Sequence, residues 1–177
     1  MDILRTRCYG STSSIQLEGV VRFHAPLYFK SQMLKTRVVK RKDISTILEL
    51  EERFKSTLFF PSDIQDILKS VDSSCSTIMC KDEDVIAFVL SYSTEYGTSY
   101  LEKVFVHPDY RGNGLQRELI KKTLKLLKQQ RVKVCYTMVD PLNEISLSNF
   151  KDVGFIEFMD KKYKGHNRKI LVYDFNC

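Results

Sequence analysis

The sequence predicts an α/β (α+β) domain in which a mixed sheet carries helices on both faces. Short alternating or β-branched runs, typical of strands, are interleaved with segments whose apolar residues recur at the helical period. The chain has 177 residues, which suits one domain. Apolar residues make up 43% of it, which is enough for a sizeable core and argues against a disordered chain.

The first predicted elements are a strand and two helices. Thr36–Lys40 is predicted as the strand, and Asp43 is expected to cap the helix that follows. Ser62 is expected to cap the second helix, because it follows Pro61 and precedes an apolar stripe at i, i+3, i+4 and i+7. The members of that stripe are Ile64, Ile67, Leu68 and Val71.

Three strands and a long helix are predicted next. The strands lie near Ser76–Lys81, Val85–Ser93 and Ser99–His107, with a polar turn between the first two. Gly114–Gln130 is predicted as the helix. Its expected buried face consists of Leu115, Leu119, Thr123, Leu124 and Leu127.

The last predicted elements are a strand, a short helix and a closing hairpin. Val132–Val139 is expected to be a central strand, and Asn143–Val153 a helix that Gly154 ends in a left-handed cap. Phe155–Asp160 and Lys169–Phe175 are predicted to form the hairpin, with Gly165-His166-Asn167 at its turn. This order of elements predicts a mixed sheet covered on both faces.

Residues 1–35 differ in composition from the rest of the chain. A run of Gly, Ser and Thr at 10–14 predicts a loop, and Ile15–Phe29 alternates enough for an edge strand or hairpin. We treat 1–35 as an N-terminal extension, with a flap, an added strand and a dispensable segment as open alternatives. The folded domain is predicted over 36–177.

Composition excludes several function classes. The longest apolar run, Val85–Leu90, is far shorter than the ~20 residues that span a bilayer, so we expect no membrane partner. The 5 cysteines are scattered, and no cluster with histidine completes a metal site, which predicts a reducing, cytoplasmic setting and no metal. The net charge of +6 suits an anionic small ligand or a weak nucleic-acid contact. Basic residues near Lys35–Lys42 lack aromatic stacking partners, so no nucleic-acid partner is expected.

One motif carries chemistry, and it lies where a strand ends and the long helix begins. Pro108 stops the strand, while Gly112 and Gly114 remove side chains from the tight turn. The N–H groups of 111–116 are then free to converge on one point at a helix N-terminus, beside the charge of Arg111. A phosphate or pyrophosphate is the ligand such a turn suits. The alternatives are a turn that binds nothing and a dinucleotide fold, but the latter needs a third glycine where Arg117 stands.

Two motifs together resemble the GNAT superfamily of acyl-CoA-dependent N-acetyltransferases. Arg111 and Gly114 match the family's first motif, whose last position is Gly or Ala but is Gln116 here. The later motif is similar at Asn143, Ser146, Phe150 and Gly154-Phe155. The order of elements from Thr36 to Phe175 also resembles the GNAT fold.

The resemblance implies a mostly antiparallel central sheet of six to seven strands with about four helices. It implies a V-shaped splay between the fourth and fifth strands, and makes 36–177 an N-acetyltransferase domain. Acetyl-CoA would be the co-substrate, with its pantetheine arm paired to the backbone of the strand end and its pyrophosphate held by the turn. The implied cofactor-binding residues are Val104, Phe105, Val106, Arg111, Gly112, Asn113, Gly114, Leu115, Gln116, Asn143 and Phe150.

The implied reaction moves the acetyl group to a primary amine by direct attack in a ternary complex. The backbone N–H of Val106 is the candidate oxyanion donor. Glu102 is a candidate base, expected to share a strand face with Tyr100 and Val104 if the strand alternates regularly. Phe150 stands where the family usually has a tyrosine acid and has no proton to give, so Tyr136 is a candidate acid, with Tyr173 as a substitute.

Other readings stay open at this point. A non-catalytic acyl-CoA-binding sensor or pseudoenzyme is the alternative that Phe150 favours. The acceptor, the acyl-chain preference and the choice between monomer and homodimer are left open. Basic residues crowd the closing hairpin and favour either an anionic acceptor or simple solvation; they are Lys161, Lys162, Lys164, Arg168 and Lys169.

Overall fold

A computed structural model describes residues 34–56 and 61–176 of the chain. Within them, seven strands form one sheet in the order β1-β2-β3-β4-β5-β7-β6. The strands are β1 Leu34–Val38, β2 Thr77–Lys81, β3 Asp84–Ser93, β4 Thr98–Val106, β5 Val134–Val139, β6 Ile156–Tyr163 and β7 His166–Asp174. The helices are α1 Ile44–Arg53, α2 Ile64–Asp72, α3 Leu115–Gln129 and α4 Glu144–Asp152.

The sheet is mostly antiparallel, as predicted, and β4 and β5 form its parallel pair. Apolar side chains form two clusters of buried residues around it. Residues of α1 and α2 belong to one cluster, which we call the α1–α2 core, and residues of α3 and α4 belong to the other, the α3–α4 core. Every residue predicted for the buried face of the long helix is buried.

The predicted splay lies between β4 and β5. These strands pair from Thr98 opposite Val134 to Leu101 opposite Thr137, and the pairing goes no further. The buried hydroxyl of Thr137 donates to the carbonyl of Leu101 at 2.8 Å, at the point where the strands part. A side chain of β5 is therefore hydrogen-bonded to β4 at the vertex of the V, where the pairing of the two strands ends.

We expect Thr137→Val to destabilise the fold by about 0.5–1.5 kcal/mol, because it removes a hydrogen bond between buried groups of β4 and β5. Thr137→Ser keeps the hydroxyl and serves as the control. Urea unfolding at equilibrium measures the difference. Equal midpoints for the valine and serine variants would contradict the assignment of this hydrogen bond.

A β-bulge in β4 interrupts the regular alternation that the sequence suggested. Leu90 of β3 faces Lys103 while Ser91 faces Leu101, so Glu102 is the extra residue on β4. Glu102 lies on the α1–α2 side with Tyr100, as expected, but the bulge moves Val104 to the opposite side, where it packs against the α3–α4 core. The expectation that Glu102 and Val104 share a face was wrong for this reason.

Four local predictions also need correction. Asp43 precedes α1, but its carboxylate accepts from the Arg37 guanidinium and makes no capping hydrogen bond to that helix. Asp63, not Ser62, caps α2, since its carboxylate accepts from the N–H of Gln65 at 2.8 Å. The closing hairpin turns at Lys164-Gly165, both with positive φ, so His166 already belongs to β7. The first strand begins at Leu34, two residues earlier than predicted.

Most of the predicted N-terminal extension lies outside the described residues. The alternating segment Ile15–Phe29 lies outside the described residues, and the division of the chain at 35/36 stays a prediction. Among the helices of the described part, none has the length and apolar content needed to cross a membrane.

Candidate active site

Two cavities meet at the open end of the V. One, of about 510 Å³, lies against the end of β4 and the start of α3, and we call it the cofactor cavity. The other, of about 550 Å³, lies between the start of α2, the bulge of β4 and the β6–β7 hairpin, and we call it the acceptor cavity. Of the described residues, Val104, Asn143 and Ser146 line both. These three side chains mark the junction where contents of the two cavities would touch.

The glycine-containing turn at the mouth of the cofactor cavity is held by its own side chains. The Asn113 amide donates to the carbonyls of Tyr110 and Arg111 at 3.1 and 3.2 Å. Gly112 and Gly114 take φ of 79° and 73°, a conformation that favours glycine. The turn thus leads into α3 at Leu115 and exposes the N–H groups of that helix's first turn to the cavity.

The backbone of β4 beyond the bulge presents donors and acceptors to the opening. The N–H of His107 donates to the carbonyl of Ile86 at 2.8 Å. In this register the next hydrogen-bonded pair along β4 is Phe105 with Phe88. Because antiparallel pairing alternates, the N–H and C=O groups of Val104 and Val106 point away from β3. The Arg111 guanidinium donates to the Val106 carbonyl at 3.1 Å, which agrees with that direction.

The predicted cofactor residues are divided between the cavities. Those that line the cofactor cavity are Val104, Phe105, Val106, Arg111, Gly112, Gly114, Leu115, Gln116 and Asn143. Asn113 does not line it and acts inside the turn instead. Phe150 lines the acceptor cavity and packs edge-on against Phe155, with ring centroids 5.0 Å apart. The ring of Phe105 stacks on Phe88 in the α1–α2 core and its N–H and C=O face β3, so the β4 backbone open to a ligand is that of Val104 and Val106.

Glu102 lies in the acceptor cavity, in an environment that disfavours its charge. Burial raises its pKa to about 7, and the nearby carboxylate of Asp66 adds to the effect. Lys103 opposes the rise, and Glu51 adds to it. The Ser70 hydroxyl lies 3.4 Å from its carboxylate. A carboxyl that titrates near neutrality is suited to accept a proton and release it again.

A second carboxylate, that of Glu51, lies next to the start of α2 and the bulge of β4. Glu51 on α1 is fully buried and accepts hydrogen bonds from both the N–H and the hydroxyl of Ser62, at 2.5 and 3.0 Å. The Lys103 ammonium lies 4.0 Å from the same carboxylate. Burial lowers the pKa of Lys103, while Glu51 and Glu102 act in the other direction. Glu51 therefore ties the start of α2 to the bulge of β4.

The tyrosines named as substitute acids lie elsewhere. Tyr136 packs on Tyr100 with centroids 5.0 Å apart, and Tyr173 packs between Phe155 and Phe175. Neither is among the residues that line the two cavities. The phenols that do line the acceptor cavity are Tyr92, Tyr100 and Tyr163. Burial raises the pKa of Tyr92 to about 12 and that of Tyr100 further, so both stay protonated at neutral pH.

The basic hairpin is partly neutralised by neighbouring carboxylates. Arg168 forms a salt bridge with Asp140, and Lys169 pairs with Glu157 at 3.0 Å. Lys164 and His166 also line the acceptor cavity, opposite Asp63 and Asp66. The cavity thus has an acidic wall on α2 and a basic wall on the hairpin, which sequence reasoning missed because the walls are far apart along the chain.

A mixed sheet opened between two parallel strands, with a glycine-containing turn at the mouth of the opening, defines the class of fold on which acetyltransferases are built. Residues 43–155 match the model of the acetyltransferase (GNAT) family, and the chain belongs to that family. No curated protein sequence matches it significantly.

Solved structures agree with this fold. The ribosomal-protein-S18-alanine N-acetyltransferase of Escherichia coli is 17% identical, with a TM-score of 0.69 over 80% of this chain and 94% of that one. Arabidopsis thaliana Naa50, in complex with the bisubstrate analogue CoA-Ac-MVNAL, is 14% identical, with a TM-score of 0.70 over 80% and 99%. The putative acetyltransferase yncA of Salmonella typhimurium with its cofactor acetyl-CoA is 15% identical, with a TM-score of 0.66 over 80% and 94%.

Proposed function

We propose that this acetyltransferase moves the acetyl group of acetyl-CoA to a primary amine by direct attack in a ternary complex. The observation that carries the proposal is that the two cavities meet at Val104, on the stretch of β4 that has no strand partner on one side. An amide-bearing pantetheine arm satisfies such a strand edge as an added strand does. The thioester would then lie at the junction and face the acceptor cavity.

The cofactor cavity suits acetyl-CoA along its length. The N–H groups at the start of α3 and the charge of Arg111 favour the pyrophosphate, because a helix N-terminus attracts anions. The Arg111 guanidinium holds the Val106 carbonyl and so keeps the turn next to the strand end. Asn143 caps α4 by accepting from the N–H of Ser146 at 3.1 Å and lines both cavities, which supports its proposed contact with the pantetheine.

The acceptor cavity supplies the groups that the amine needs. Glu102 accepts a proton, directly or through water, as the amine nitrogen attacks the carbonyl carbon. The N–H of Val106 points into the opening and stabilises the oxyanion. The E. coli relative is described as an alanine N-acetyltransferase and Naa50 was solved with an acetylated peptide analogue, which supports an amine acceptor.

Two measurements on one sample test the proposal. Calorimetric titration with acetyl-CoA and CoA is expected to show binding, and free thiol is expected to appear when acetyl-CoA is mixed with a panel of small amines and peptide N-termini. Absence of CoA binding would overturn the assignment of the cofactor cavity.

A non-catalytic acyl-CoA sensor is the second candidate, and Phe150 is the observation that favours it. Its ring is buried against Phe155 at the acceptor cavity and has no proton to give a leaving thiolate. Tight binding of acetyl-CoA without thiol release across the whole panel would favour the sensor. Thiol release above the hydrolysis rate measured without amine would exclude it.

A further inference from the structure

Two departures from the family pattern lie near the hydroxyl of Ser146: one residue hydrogen-bonds to it, and the other lies one helical turn away on α4. Gln116 stands where the GNAT motif has Gly or Ala, and Phe150 stands where the family usually has a tyrosine. Gln116 lies on the first turn of α3, and its side-chain amide donates to the hydroxyl oxygen of Ser146 on α4 at 3.1 Å. Ser146 precedes Phe150 by one helical turn, so both side chains lie on the same face of α4.

The hydrogen bonds fix the direction in which the Ser146 hydroxyl donates. The amide oxygen of Gln116 accepts from the Asn149 amide at 2.9 Å, which leaves the Gln116 nitrogen to donate to Ser146. The Ser146 oxygen is therefore an acceptor toward Gln116, and its own proton points elsewhere. Within the described residues, no acceptor is recorded for that proton.

Ser146 lies at the junction of the two cavities, where its hydroxyl proton can reach a bound ligand. Of the three residues that line both cavities, Val104 has no side-chain donor, and Asn143, whose carboxamide oxygen caps α4, has its NH2 group left for the pantetheine in the proposed function. Ser146 is the one hydroxyl among the described residues at the junction. The junction is where the proposed reaction places the thioester sulfur.

We infer that Ser146 donates the hydrogen bond to the leaving sulfur that Phe150 cannot, and that Gln116 orients it as a positioning residue. The inference rests on the proposed function. As the tetrahedral intermediate collapses, the C–S bond breaks and its electron pair stays on sulfur, stabilised by the Ser146 hydroxyl. The nitrogen proton goes to Glu102. CoA leaves as the thiolate and takes up a proton from solvent, so the serine keeps its own.

The first test compares two serines of the same helix. Ser146→Ala is expected to lower kcat by roughly 10–100-fold while leaving the Kd for CoA within about threefold, because the lost hydrogen bond forms with a charge present only as sulfur leaves. Ser148→Ala is the matched control, since Ser148 is exposed on α4, and is expected to keep wild-type kcat. Ser146→Thr keeps the hydroxyl and is expected to retain most of the activity. Wild-type kcat in Ser146→Ala would overturn the inference.

The second test restores the family's usual acid. In Ser146→Ala/Phe150→Tyr, the new phenol lies one turn away on the same face, and we expect it to recover at least tenfold of the lost kcat. Gln116→Ala is expected to lower kcat less than Ser146→Ala does. The fold of the double variant is checked by its melting temperature, which should lie within a few degrees of wild type. If the folded double variant recovers no kcat and Ser146→Thr is also inactive, the inference is overturned. Absence of thiol release in the wild type itself would instead overturn the proposed function.

Discussion

Replacing Gly114 with glutamate is expected to abolish binding of acetyl-CoA while the protein stays folded. Gly114 lines the cofactor cavity immediately before α3, at φ 73°. A carboxylate there faces the site proposed for the pyrophosphate, and at an effective dielectric near 20 two like charges ~4 Å apart repel by about 4 kcal/mol. We therefore expect the Kd for CoA to rise roughly 100-fold or more, as measured by calorimetry.

Gly114→Ala is the matched control for backbone strain. Any Cβ at this φ costs about 1–2 kcal/mol of stability, while the space around it is open, with Arg117 at 3.7 Å as the nearest contact. The alanine and glutamate variants are expected to melt within a few degrees of each other. Retention of wild-type CoA affinity by the glutamate variant would show that the turn does not hold the pyrophosphate.

The second large effect is expected at Glu102. Glu102→Gln removes the proposed base and is expected to lower kcat/KM by roughly 10²–10⁴-fold, the range that general-base catalysis contributes. In the wild type, kcat/KM is expected to rise with pH and level off above about 7, because the base must be ionised and burial raises its pKa to about 7. Glu49→Gln, on the exposed face of α1, is the control. An unchanged pH profile in Glu102→Gln would contradict the role.

The same group predicts a pH-dependent change in stability of known sign. The pKa of Glu102 is raised from its usual value of 4.5 to about 7, so the folded state favours the protonated carboxyl. Its stabilising contribution is complete below pH ~4.5 and is lost as pH rises through about 7. Glu102→Gln is thus expected to be more stable than wild type above pH 7, by up to about 3 kcal/mol, and to match it near pH 4.5. Urea unfolding at the two pH values measures this.

Much of the fold followed from the sequence, because the signals are local. Apolar periodicity placed α2 and α3, and Pro108 with Gly112 and Gly114 marked where β4 ends and the long helix begins. Errors arose where two cues compete within a few residues. Ser62 and Asp63 are both residue types that favour a helix N-cap. In the structure Asp63 caps α2, while the Ser62 hydroxyl donates to the buried Glu51.

The site was predicted in part, and the cofactor side better than the acceptor side. The turn at 111–116 is contiguous, so its N–H groups converge by local geometry alone. The acceptor cavity is lined by residues of α2, β4, β5 and the hairpin, the most distant of which are more than 100 positions apart in the sequence. A motif with a fixed spacing therefore cannot predict it. Sequence reasoning therefore named Tyr136, which lies outside both cavities, and passed over Tyr92 and Tyr163, which line one.

Residue type and short-range geometry are enough to predict the order of strands and helices, the glycine-containing turn before the long helix and the lack of an acidic proton at Phe150. The bulge that places Glu102 and Lys103 on the α1–α2 side, and the hydrogen bond from Gln116 to Ser146, could be found in the folded structure alone. Register shifts and contacts between distant helices arise from packing the whole sheet. Their physical cause is the burial and hydrogen bonding of residues that the chain keeps far apart.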